Sequence, residues 1–308
     1  MSNHRSTALR PRTIALWAVG LLLVATAAAT TMLSLLGGGR PEDRARLDAL
    51  RTASSLVIGT GGGAALLLAA RRQRSNELDL EQRDHDATER RITELYGQAA
   101  EQLGHESAAV RLAGMYALER LAADHRPQRQ TIVNVLCAYL RMPFDDSAEE
   151  RQVRFAVQRI LQLHLRPDVE DAFWDDIDLD LSGARLPWFN FSRCRIRSLN
   201  CRGAVFTELA TFRGTEFGSK ADFVEARFLD DADFRNVDFG RNGSQFRGAR
   251  FEGPVRFGEH TAANLAGAVT RTGVGRSWPP GWEACESEDD PGWADLRQVE
   301  TGESLGAS

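Results

Sequence analysis

The sequence predicts an α + β chain in consecutive parts: an N-terminal transmembrane helical hairpin, a helical middle, and a C-terminal coil of short strands. Three observations carry that expectation. Two long uncharged runs lie near the N-terminus, apolar residues recur at helical spacing through the middle, and large apolar residues recur about every five positions from Leu181 to Phe257. The averages of the 308-residue chain hide this unevenness: its net charge is −5 and 26% of its residues are charged, yet thirteen of its fifteen Phe lie between Phe173 and Phe257. The mildly acidic total argues against a dedicated nucleic-acid binder. The four cysteines, Cys137, Cys194, Cys201 and Cys285, lack the spacing of a disulfide framework or a CxxC site.

Residues 1–74 read as a membrane anchor. The uncharged run 14–36 covers roughly 34 Å as a helix, enough for a hydrocarbon core of about 30 Å. Arg5, Arg10 and Arg12 precede it, and Trp17 suits the interface. A cleaved signal peptide is the competing reading, but the apolar run continues through Leu33, Leu35 and Leu36, longer than such a leader needs. The second run, 52–70, contains Gly59 and Gly63, a small-xxx-small pair that lets another helix approach closely in lipid. A Gly-rich loop is the alternative there, and the absence of a GK[ST] ending rejects a phosphate-binding loop. Residues 37–51 are the expected hairpin connection. Arginines before the first span and Arg71, Arg72 and Arg74 after the second place both ends inside. The expectation is a multi-pass protein of the inner (cytoplasmic) membrane, its C-terminal domain cytosolic and the lipid bilayer its first partner.

Residues 75–170 read as a helical connector. From Ser75 to about Leu103 the pattern is polar and helix-favouring, with Leu78, Ile92, Leu95 and Tyr96 as sparse apolar positions. No a/d repeat persists for three heptads, which weighs against a dimerising coiled coil while leaving an oligomer open. Gly104 stops this helix, and Ser107 is placed to cap the next, whose apolar positions include Leu112, Tyr116, Leu118 and Leu121. His125, Arg126 and Pro127 mark a break; Ile132, Val133, Leu136 and Leu140 form the next apolar face, ended by Pro143. Ser147 and Glu150 have capping-box spacing before a last helix that runs until Pro167. Amphipathic helices this short must pack on one another as hairpins. The stretch Ala109–Ala122 resembles the first helix of a HEAT-like pair.

Residues 171–258 hold the repeat. The large positions are Leu181, Leu186, Phe191, Ile196, Cys201, Phe206, Phe212, Phe217, Phe223, Phe228, Phe234, Phe239, Phe246, Phe251 and Phe257. Steps of five residues give way to alternating fives and sixes, with one seven. Two residues before each stands a second inward position, often Ala, as at Ala184, Ala204, Ala210, Ala221, Ala226, Ala232 and Ala249. This fits neither a helix nor a plain strand. One large and one small side chain per side, with a corner between, close a square coil of about twenty residues whose layers stack at ~4.8 Å. Core packing explains every Phe of the ladder, and the inward Cys194 and Cys201 read as small buried hydrophobes rather than ligands.

The pattern A-[D/N]-[L/F]-x-x, as at Ala221-Asp222-Phe223 and Ala232-Asp233-Phe234, resembles the pentapeptide-repeat family. The helical segments Tyr96–Gly104, Ala109–Ala122 and Thr131–Tyr139 resemble those preceding the repeats in membrane-anchored pentapeptide-repeat proteins of high-GC, actinobacterial-type bacteria. The resemblance implies a right-handed quadrilateral β-helix. Leu179, Phe189, Leu199, Val237 and Val255 are bulky where that family prefers Ala, and the six-residue steps must bulge at corners. Some soluble members protect DNA gyrase by imitating the acidic duplex. Residues 177–258 hold eleven acidic and thirteen basic residues, so a DNA mimic is the minority alternative.

Residues 259–308 read as a cap and an acidic, mobile tail. Trp278, Trp282 and Trp293 are placed to close the open end of the coil, with a partner-docking Pro/Trp peptide as the alternative. The six His are scattered, no HExxH or GxSxG occurs, and paired acids such as Asp230/Asp231 lie in turn-like stretches. The sequence therefore nominates no catalytic, cofactor-binding or metal-binding residue. It points to a non-enzymatic scaffold for a protein partner, with neither cofactor nor nucleic acid expected.

Overall fold

The computed structural model describes residues 41–299 except His260 and Asp289, together with Ala27 and Thr31. Two compact units divide the chain, residues 1–86 and 87–308. Helix α1 spans Pro41–Leu103, α2 Ala108–Asp124, α3 Arg129–Arg141 and α4 Ala148–His164. Beyond them the chain makes only short strands, Asp178–Asp180 the first and Trp293–Gln298 the last.

The run 14–36 lies outside the described residues, apart from Ala27 and Thr31. Among the described residues no helix is long and apolar enough to cross a membrane. The hairpin connection expected over residues 37–51 is corrected from Pro41 onward, where the backbone is already helical. The physical reason is visible in composition. Proline suits the first helical position, and the Glu, Arg, Ala and Leu that follow are good helix formers. Residues 52–70, with Gly59 and Gly63, and the polar stretch from Ser75 therefore belong to one helix rather than two.

In the second unit, the end of α1 packs on α2. The crossing is tight at Gly114, where an added Cβ would stand 2.9 Å from the Ala99 carbonyl oxygen and 2.9 Å from Gln102 Cβ. Met115, Leu118, Leu121 and Ala122 carry the buried side of α2, whereas Tyr116, expected on that face, is 51% exposed. A 3₁₀ turn, Arg126–Gln128, reverses the chain at the Arg126-Pro127 break. Helices α3 and α4 bury Ile132, Val133, Leu136, Val153, Val157 and Leu161 between themselves, α2 and the first coil of strands.

The strands form four parallel faces. The first is built on Asp178–Asp180, Ser198–Asn200, Ala221–Asp222 and Ser244–Gln245, each pairing with the next. The second runs Arg185–Leu186, Val205–Phe206, Arg227–Phe228, Arg250–Phe251 and Val269–Arg271. The third runs from Phe189–Asn190 to Arg276–Ser277, and the fourth pairs Arg195–Ile196 with Glu216–Phe217, bridged on to Asp238. Along the second face the register advances by 20, 22, 23 and then 19 residues. The ladder survives these changes because the long steps fall at the same corners coil after coil. Phe206–Phe212, Phe228–Phe234 and Phe251–Phe257 are each six residues long and lie above one another.

The Asx position of the repeat has a structural cause. Asn200, Asp222, Asp233 and Asn264 each accept a hydrogen bond through Oδ1 from the backbone N–H two residues on, at 3.0–3.2 Å. That bond turns the chain immediately after the large inward residue.

The coil outlasts its expected end at Gly258. Leu265, Ala268 and Thr270 are fully buried, and Val269–Arg271 and Arg276–Ser277 pair in parallel with the coil below. The acidic tail expected to be mobile is corrected as well. Trp282–Glu286 and Trp293–Gln298 form an antiparallel hairpin that adds to the second face through Thr270 and Ala294. Residues 300–308 lie outside the described residues.

Candidate functional site

The large positions of the ladder are all interior. Leu181, Leu186, Phe191, Ile196, Phe206, Phe212, Phe217, Phe223, Phe228, Phe234, Phe239, Phe246, Phe251 and Phe257 are each at most 3% exposed. They stand in columns. Phe206 lies 4.7 Å from Phe228, and Phe228 5.0 Å from Phe251, with rings nearly parallel. Phe212, Phe234 and Phe257 stack likewise at 5.2 and 4.8 Å. Between columns the rings meet edge to face, as Phe223 does with Phe234. Both arrangements suit the ring quadrupole. Leu179, Phe189 and Leu199, oversized for their positions, are buried in the first two coils; Phe189 lies 4.2 Å from Phe191 and 5.4 Å from Phe212.

Cys194 and Cys201 are buried in the same core, and burial pushes the thiols of Cys137 and Cys194 up to about 12. Such thiols are poor nucleophiles and poor ligands near neutral pH. Among the described residues no cluster of His, Cys, Asp and Glu could hold a metal ion.

One polar cluster was not legible from sequence. Ser147 Oγ accepts from the Glu150 N–H at 3.3 Å, as the capping spacing predicted. The Glu150 carboxylate does not reach back, and Asp145 Oδ1 takes the Ser147 N–H instead. Glu150 Oε2 accepts from Arg111 Nη2 and from the Tyr139 hydroxyl, each at 3.0 Å, and Oε1 accepts from Arg154 Nε at 3.0 Å. Arg154, 1% exposed, also donates to the Leu140 and Met142 carbonyls at 2.8 and 2.5 Å and lies 3.8 Å over the Phe144 ring. Burial, then the neighbouring Glu150, raises the Tyr139 hydroxyl above its ordinary value. Ser107 begins α2 without a side-chain cap bond; its N–H donates to His105 Nδ1. These groups floor a cleft of about 780 Å³ between the loop before α2 and the loop before α4. Apart from Arg111 Nε, which is buried without a hydrogen-bond partner among the described residues, the donors of the cluster are engaged within the protein, and the cluster ties α2, α3 and α4 together.

A second buried junction joins α4 to the coil. The His164 ring lies flat on Trp174 at 3.8 Å, with Nε2 2.8 Å from Glu119 Oε1 and Nδ1 2.6 Å from the Ala172 carbonyl oxygen. Both partners are acceptors.

The outside of the coil is built from the residues between the inward positions, and their charges are unevenly shared. The model for pentapeptide repeats, in nine copies, matches residues 212–259. Residues 212–259 are pentapeptide repeats. No curated protein and no solved structure matches it. The matched segment contains the whole of the column Phe212, Phe234 and Phe257. The coil continues on both sides of the match, back to Asp178 and forward to Ser277.

Proposed function

We propose that this chain is a non-catalytic pentapeptide-repeat scaffold, held at the cytosolic face of the inner membrane, that presents the outer faces of its coil to a protein partner. One observation carries the scaffold reading. The large and small inward residues of the repeat fill the core, which leaves the outward positions as a regularly spaced surface. Repeat solenoids use such extended surfaces for binding. The membrane part rests on the uncharged run 14–36 and on the arginines flanking it. The charge of the coil, slightly basic over residues 177–258, gives no support to imitation of an acidic duplex.

Photo-crosslinkers placed at exposed positions of the coil in the full chain, expressed in cells, test the scaffold. The reading expects a discrete crosslinked partner from one face and none from the opposite one. Substrate turnover by the purified chain that disappears in Glu150→Gln would overturn it. A reporter fused after Ser308 tests placement: activity confined to the outside of the cell would contradict a cytosolic coil. Protection or inhibition of gyrase at stoichiometric levels would favour the minority alternative.

A further inference from the structure

The fourth face and its two bordering corners, residues 192–198, 213–220 and 235–243, hold seven basic and two acidic residues. The opposite face and its corners, residues 182–188, 202–209, 224–231 and 247–254, hold five of each. Within residues 182–254 the slight positive charge is thus concentrated on one side, while the layer below that face, residues 165–177, carries Asp168, Glu170, Asp171, Asp175 and Asp176.

Three of the seven are engaged locally. Arg195 pairs with Glu216 at 2.8 Å, Arg197 with Asp176 and Asp178, and Arg235 with Asp233 at 2.6 Å. Arg193, Arg213, Lys220 and Arg241 are exposed and make no ion pair among the described residues, although Arg193 lies close enough to Asp168 to lower that carboxyl. Arg193 and Arg213 occupy the same corner on successive coils, joined by the Arg193 N–H to Arg213 carbonyl bond. Lys220 and Arg241 border the other edge. A strip of parallel strands therefore carries cations outside any ion pair among the described residues along both edges.

We propose that this face docks on an anionic bilayer surface, its cations reading lipid phosphate headgroups. The inference rests on the membrane-held reading above and names a partner for it. Charge complementarity carries it: basic residues near an anionic leaflet each add to attraction that fades within a Debye length. Stacked parallel strands let four cations meet a planar surface together. A nucleic acid is a poorer match. The outward positions of the face (Arg195, Arg197, Glu216, Gly218, Asp238 and Gly240) include no aromatic on which bases could stack, and no helix lies there to enter a groove.

The test uses the full chain in nanodiscs of phosphatidylcholine alone or with one-third phosphatidylglycerol. An arginine-selective dicarbonyl is the probe, and modification is read by mass spectrometry. The docked face expects labelling of Arg213 and Arg241 to fall roughly fivefold on anionic discs at low salt and to recover at high salt. Arg247, at the diagonally opposite corner, stays equally reactive on both lipids. In Arg213→Glu/Lys220→Glu, surface changes outside the core, protection of Arg241 is lost. Equal labelling of Arg213 and Arg241 on both lipids overturns the proposal, as does equal protection of Arg247. So does protection by a short DNA duplex where lipid gives none. A chain that does not enter nanodiscs refutes the membrane tether instead. The same labelling, with anionic or neutral vesicles added to that chain, then decides the face by the same outcomes.

Discussion

Glu150 accepts three hydrogen bonds from groups on α2, α3 and its own helix, and Arg154 beneath it is almost wholly enclosed. Removing one charge leaves the other stranded in a poorly solvated place. Glu150→Gln is expected to lower unfolding free energy by about 3 kcal/mol, read as a denaturant midpoint shift at constant slope. Loss of only a few tenths would show the cluster to be solvent-screened. The buried thiols set a pH limit. Their folded pKa lies near 12 at Cys137 and Cys194, against about 8.5 in an unfolded chain. The unfolded state therefore releases these protons first. Their contribution to stability is intact below about pH 8.5 and is lost progressively as pH rises toward 12. At pH 8 a thiol reagent should titrate Cys285 rapidly in the native protein and the other three only on unfolding. Residue-scale reading reached the Cys burial but not the Glu150 cluster. A capping box is a local pattern, whereas Arg111 lies 39 residues from Glu150. Nothing in either segment announces their meeting.

Corners decide whether a coil of unequal steps stays in register. At Gly240 a Cβ would meet the Phe217 carbonyl oxygen at 2.0 Å, backbone that cannot move aside. At Gly203, also at positive φ, a Cβ would meet nothing within 4 Å. Gly240→Ala should cost about 3 kcal/mol and Gly203→Ala about 1 kcal/mol, measured side by side by thermal unfolding. Equal losses would mean that the coils are not in close backbone contact at Gly240. The elements were legible to very different degrees. Helical period and proline breaks located α2, α3 and α4 within a few residues. The five-residue period located the columns, because an inward-facing side chain every fifth position has no other simple packing solution. The last coil went unread although Ala263-Asn264-Leu265 repeats the motif, since the step from Phe257 to Leu265 is eight residues. Residues 41–51, expected as the connection between two spans, are helical because helix-forming side chains prevail there.

The coil is a one-dimensional stack, so its ends govern how it opens. Helices α3 and α4 cover the first coil. At the other end Trp278 rests on Phe251 and Phe257, with ring centres 5.9 and 6.0 Å away, and the hairpin to Gln298 extends the second face. Trp278→Ala should therefore raise amide hydrogen exchange over residues 250–277 while residues 178–206 keep their protection. Uniform loosening would mean that the coil unfolds as one block rather than from its end. The stack is held together by aromatic columns that join residues more than twenty positions apart. Ring-to-ring nuclear Overhauser contacts in a sample with selectively labelled phenylalanine measure this directly. Phe228 is expected to show contacts to both Phe206 and Phe251, the rings 4.7 and 5.0 Å from it. Contacts confined to residues three or four positions away, with none to Phe206 or Phe251, would contradict the stacked coil.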